Sequence, residues 1–82
     1  MKLLNWSYTK RYNIKARYDY CPFSSVIFRP INEYYFVYII NWSEKDPIVT
    51  REHLALMELL INRELGTEEH YLSRKSTIPA DP

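Results

Sequence analysis

The sequence predicts an α+β protein, an antiparallel sheet of three or four strands followed by one main α-helix packed on it. Three observations predict it. From Leu4 to Tyr20 the even positions Leu4, Trp6, Tyr8, Tyr12, Ile14, Ala16, Tyr18 and Tyr20 are apolar or aromatic, broken only by Lys10, while the odd positions between them are polar. Strand side chains alternate between two faces, so this run reads as β-structure with one face buried. Residues 33–42 form a second aromatic and β-branched run, and residues 51–65 carry apolar side chains at helical spacing between Thr50 and Gly66.

As a single strand the alternating run would stretch roughly 55 Å, at about 3.3 Å per residue, against about 30 Å for a compact domain of this length. It must therefore fold back, bend sharply or reach across a partner. A two-residue hairpin at Lys10-Arg11 would set Tyr8 opposite Asn13 and join an apolar face to a polar one. A three-residue loop, Thr9-Lys10-Arg11, sets Tyr8 by Tyr12, Trp6 by Ile14 and Leu4 by Ala16, which are productive cross-strand pairs. It lacks the glycine such loops usually carry.

Cys21-Pro22 ends this unit. Phe23 to Arg29 reads as a short strand, and Arg29-Pro30-Ile31-Asn32 as a turn. Glu33 to Trp42 is the strongest strand, with Tyr34, Phe36, Tyr38, Ile40 and Trp42 on one side and Tyr35, Val37 and Ile39 on the other. Both faces need cover, as on a central strand. Residues 43–47 form a polar loop.

Thr50 then caps a helix running from Arg51 to about Leu65. Glu52 complements its dipole, Val49 packs on Leu54, and Gly66 ends it in the left-handed conformation. A second helical turn begins after Thr67 and carries Glu68, Glu69, Tyr71 and Leu72. The domain spans residues 1–75, and residues 76–82, with two prolines and little to bury, form a frayed tail.

Leu54, Met57, Ile61 and Leu65 form the sheet-facing stripe of the main helix. Leu56, Leu60 and Leu59 are left over, to be covered within the chain or by another molecule. Eighty-two residues make one domain close to the lower limit of an unaided core, so self-association or a partner would assist it. The single cysteine, Cys21, forms no internal disulfide, and no segment approaches the roughly 20 apolar residues of a membrane span. The expectation is a cytoplasmic protein with no membrane contact.

Charge is unevenly placed. Residues 1–30 carry Lys2, Lys10, Arg11, Lys15, Arg17 and Arg29 against Asp19 alone, a balance of +5, while residues 31–82 balance at −4. With Gly66 the only glycine, no phosphate-binding loop, dinucleotide fingerprint or nucleophile elbow is available. His53, His70 and Cys21 lack ligand spacing. No catalytic residue, metal or cofactor is expected, and the chain does not read as an enzyme.

By elimination the function is non-covalent. The leading expectation is a small regulatory or inhibitory protein, of phage or mobile-element type, that occupies a surface on another protein or on a second copy of itself. Leu56 and Leu60 would supply apolar contact, and Arg11, Lys15 and Arg17 charged contact. The alternative is a nucleic-acid-binding protein whose Arg11, Lys15 and Arg17 contact phosphates from the polar sheet face. Parity sets the rings of this segment on the opposite face, which denies that alternative a stacking platform.

Overall fold

The computed structural model describes residues 1–77. Four antiparallel strands follow one another in chain order across one sheet: β1 (Leu3–Tyr8), β2 (Ile14–Tyr18), β3 (Ser25–Ile31) and β4 (Tyr34–Asn41). Two helices follow, α1 (Arg51–Glu64) and α2 (Glu68–Thr77). The smallest dimension, 19 Å, suits one sheet with a single helical layer, because packed layers lie about 10 Å apart.

The alternating pattern holds where the core is deepest. Ile14, Ala16 and Tyr18 of β2 are fully buried with Val26 and Phe28 of β3 and Met57 and Ile61 of α1. Leu54, Leu60 and Leu65 pack against the same cluster. The Tyr18 hydroxyl donates to the Met57 carbonyl at 2.7 Å, tying strand to helix inside the core.

The first hairpin differs from the three-residue loop expected. Tyr8 faces Ile14 and Trp6 faces Ala16, a shift of two residues that keeps these four side chains on the face expected of them. Residues 9–13 form the loop, a single 3-10 turn at Lys10–Tyr12 closed by the Thr9 N–H on the Asn13 carbonyl at 2.7 Å. Arg11 and Tyr12 take up the left-handed conformation that the missing glycine would have supplied, at φ 63° and 65°. Tyr12 thereby leaves the buried face and is 78% exposed. At the other end of β1 the register slips between Leu3 and Asn5, so Leu3 packs on the core and Leu4 is exposed.

Residues 34–41 form an edge strand, not a central one. The cover comes from α1, which presents hydrogen-bonding groups to the strand's free edge. Asn62 Oδ1 accepts from the Tyr35 N–H and Asn62 Nδ2 donates to the Tyr35 carbonyl, both at 2.8 Å, as a neighbouring strand would. One turn earlier Glu58 Oε2 accepts from the Val37 N–H at 2.8 Å. An exposed edge invites pairing with other chains, and these two side chains close it.

A bulge at Tyr38 also breaks the alternation read for this strand. Ile27 faces Ile39 while Phe28 faces Val37, leaving Tyr38 as the extra residue. Tyr35, Val37 and Ile40 consequently pack on the core. Phe36, opposite Arg29, and Ile39, opposite Ile27, share the other face.

The turn expected at Arg29–Asn32 falls later, at Asn32-Glu33, with Asn32 at φ 55°. Pro30 lies within β3 opposite Tyr35. The Tyr35 backbone groups point outward to Asn62, so the Pro30 nitrogen points away from β4, past the last paired residues of β2. Its missing N–H costs no ladder bond there.

Both ends of α1 are capped as the sequence indicates. Thr50 Oγ1 accepts from the His53 N–H at 3.3 Å, and His53 Nδ1 accepts from the Thr50 N–H at 3.0 Å, a capping box with histidine in the usual glutamate position. At the C-terminus Gly66 adopts φ 78°. Its N–H reaches the Arg63 carbonyl at 3.3 Å, and the Thr67 N–H reaches the Asn62 carbonyl at 2.8 Å, a Schellman motif. A Cβ at Gly66 would meet nothing within 4 Å. Gly66→Ala is therefore expected to cost only the backbone term, about 1 kcal/mol, measured as a lowered urea midpoint.

The second helical segment is a ten-residue helix, not a single turn, and it includes Ser76 and Thr77 of the expected tail. Residues 78–82 lie outside the described residues. Tyr71 is buried, and its hydroxyl donates to Glu58 Oε1 at 2.9 Å, so Glu58 joins β4, α1 and α2.

Burial raises the phenols of both Tyr18 and Tyr71 above their ordinary value, with Cys21 and Glu58 adding to the shift at Tyr18 and the Glu58 hydrogen bond at Tyr71. A group that holds its proton more tightly when folded stabilises the fold below its unfolded pKa, about 10 for tyrosine, and that contribution is lost as pH rises through the folded value. Circular dichroism is expected to show stability falling above about pH 10. Tyr18→Phe with Tyr71→Phe should move that fall to higher pH, at a cost of about 1 kcal/mol per lost hydrogen bond at neutral pH.

Candidate functional site

The helices cover one face of the sheet, and among the described residues no helix or strand lies over the opposite face. Its positions on the four strands are half-buried or exposed, apart from Ser25 at the start of β3, which is buried. β1 contributes Asn5 and Ser7, β2 contributes Lys15 and Arg17, β3 contributes Ile27 and Arg29, and β4 contributes Phe36, Tyr38 and Ile39. No Asp or Glu occurs in any of the four strands.

The register builds this surface. Arg29 is directly opposite Phe36, and its guanidinium sits 4.7 Å from the centroid of the Tyr38 ring. Lys15 faces Ile27, which faces Ile39, so a lysine and two isoleucines lie side by side across three strands. A guanidinium over an aromatic ring is held by the ring quadrupole, which anchors Arg29 at Tyr38.

The three cations singled out in the sequence separate into different roles. Lys15 stands exposed on the open face. Arg17 shares that face, but its Nη1 donates to the carbonyls of Pro22 and Ser24, both at 3.3 Å, so it pins the loop after β2. Arg11 sits in the 9–13 loop at the rim, where it lines a recess of about 220 Å³ with Asn13, Arg29, Pro30 and Tyr38. Arg29, Phe36 and Tyr38 were missed by sequence reasoning. The available signal for Phe36 and Tyr38 is their shared side in the alternation of residues 33–42; strand pairing decides that this side is the open one and brings Arg29 beside them.

The two leucines of α1 also divide. Leu56 is 38% exposed, whereas Leu60 is half-buried and packs against the core. The other chemistry-bearing side chains are engaged locally. His53 caps α1, and His70 Nδ1 lies 3.3 Å from Glu33 Oε2. Burial, then Asp46 and Asp19, push the Cys21 thiol up, away from the reactive thiolate. Among the described residues no three His, Cys, Asp or Glu side chains converge on a metal-sized site, and no helix is long and apolar enough to cross a membrane.

Asp46 is a buried carboxylate with a structural role. Its Oδ2 accepts from Ser24 Oγ at 2.6 Å, and Ser24 Oγ accepts from the Ser43 N–H at 2.8 Å, which clips the loop after β2 to the loop after β4.

The protein family described as "Uncharacterised protein YuzH" matches residues 2–76, and the chain belongs to that family. No curated protein and no solved structure matches the chain.

Proposed function

We propose that this YuzH-family protein is a non-enzymatic binding protein that engages single-stranded nucleic acid on the open face of its sheet. The observation that carries the proposal is the placing of Phe36 and Tyr38 beside Arg29 and Lys15 on one uncovered surface. Single-strand binders combine cations that follow the phosphates with rings on which bases stack. The parity objection concerned the rings of the first hairpin; β4 supplies rings from another strand. With no acid in the strands, the field over this face attracts a polyanion.

Fluorescence anisotropy with labelled DNA and RNA dodecamers tests it. Binding is expected at 50 mM salt and should weaken steeply by 200 mM, as counterion release requires. Tyr38→Ala should weaken it about tenfold through lost stacking. No binding of either dodecamer at 50 mM salt would overturn the proposal.

A second reading, occupation of another protein's surface in a regulatory or inhibitory role, is favoured by the exposure of Leu56 on α1. Leu56→Asp is the clean test, because Leu60 contributes to packing. Sedimentation should show a concentration-dependent mass that the substitution removes; a monomer at every concentration would refute self-association through this helix.

A further inference from the structure

We infer that the cleft at the hairpin end of the sheet receives the terminal nucleotide of the bound strand, with its base among Tyr8, Tyr12 and Tyr35 and its terminal phosphate on Arg11. This rests on the proposed sheet-face function for the class of ligand. The cleft has a volume of about 940 Å³, within the range of small-molecule sites. Tyr8 belongs to the core face, since it pairs with buried Ile14, yet it is 58% exposed. The helical layer therefore stops short of this end, leaving three tyrosines around an open space.

Two further features point to a ligand. Arg11 and Tyr12, both lining the cleft, are held in the left-handed region, where a bulky residue costs energy that glycine would not. Strain of this kind tends to persist where it positions functional side chains. Arg11 has no ion-pair partner among the described residues, so its donors are available to an anion.

Continuity with the sheet face chooses the occupant. Arg11 and Pro30 line both this cleft and the recess that holds Arg29 and Tyr38 on the open face. A strand lying on the open face passes Arg29 and Tyr38, rounds the rim at Arg11 and ends in the cleft. A ring system with one attached phosphate matches the three tyrosines and single guanidinium found there.

The test compares three otherwise identical single-stranded dodecamers: hydroxyls at both ends, a 5′-phosphate, or a 3′-phosphate. One phosphorylated end should tighten binding about tenfold, which also gives the polarity of the strand, and Arg11→Ala should erase that difference. Tyr12→Gly, which relieves the backbone strain and so should not lower the melting temperature, should weaken binding of the preferred oligonucleotide at least fivefold. Equal affinity for all three, unaffected by Arg11→Ala, would overturn the cleft assignment and leave the sheet-face proposal standing. If none of the three binds at 50 mM salt, the sheet-face proposal itself fails. Competition by adenosine monophosphate with no oligonucleotide binding would reassign the cleft to free nucleotides and overturn its link to a strand.

Discussion

Asn62→Ala is expected to destabilise the fold by about 3–4 kcal/mol, because it strips partners from several polar groups at once. The amide accepts from the Tyr35 N–H and the Thr67 hydroxyl and donates to the carbonyls of Tyr35 and Glu58, all at 2.8 Å, and it is fully buried. A domain of this length has a total stability of about 4–12 kcal/mol, so the loss is a large fraction of the whole. Urea denaturation followed by circular dichroism measures it. Asn62→Leu, which keeps the volume, separates hydrogen bonding from packing. A cost above about 2 kcal/mol for leucine identifies the lost polar partners as the cause, whereas a near-neutral change would show that filling the space is enough.

The second large effect concerns binding. Replacing both Lys15 and Arg29 by glutamate should lower affinity for a single-stranded dodecamer by about 100-fold or more at 50 mM salt, since each phosphate contact releases counterions and two are replaced by repulsion. The salt dependence should become shallower in the same titration. Both side chains stand exposed on the open face, so the urea midpoint should hardly move. Retained affinity in the double variant would show that the sheet face is not where the phosphates lie, and unfolding of the variant would show that Arg29 on Tyr38 has a structural role. The Tyr38→Ala titration then distinguishes stacking from charge.

Much of this architecture was legible because it depends on local rules. Ile14, Ala16 and Tyr18 announce their face by period two, and the only way to bury them is against a neighbouring layer. Thr50 and Gly66 mark the ends of α1 because capping is a matter of a few adjacent backbone groups. The sheet-facing stripe at Met57 and Ile61 follows from helical spacing alone.

The features that were not legible are set by tertiary geometry. Asn62 and Glu58 read as ordinary polar helix residues until β4 is laid along them. The edge position of β4 was hidden because a strand covered by helix side chains along its edge has the same apolar composition as one flanked by strands. The five-residue loop was hidden for another reason: Arg11 and Tyr12 adopt a backbone conformation that their residue types disfavour. The bulges at Leu4 and Tyr38 leave no compositional trace.

One supernumerary residue therefore sets the phase of half a strand. Ile40 is anchored inward on one side of Tyr38, and Tyr35 and Val37 are anchored inward on the other, an arrangement no evenly alternating ribbon can satisfy. Deleting Tyr38 would straighten the strand: Val37 and Ile39 would become neighbours, as Phe28 and Ile27 are across from them, and Tyr35, Val37 and Ile40 would all stay inward. What would go is the ring beneath the Arg29 guanidinium. The interior thus accepts this strand with or without the additional peptide unit, while the outward aromatic surface is furnished by it.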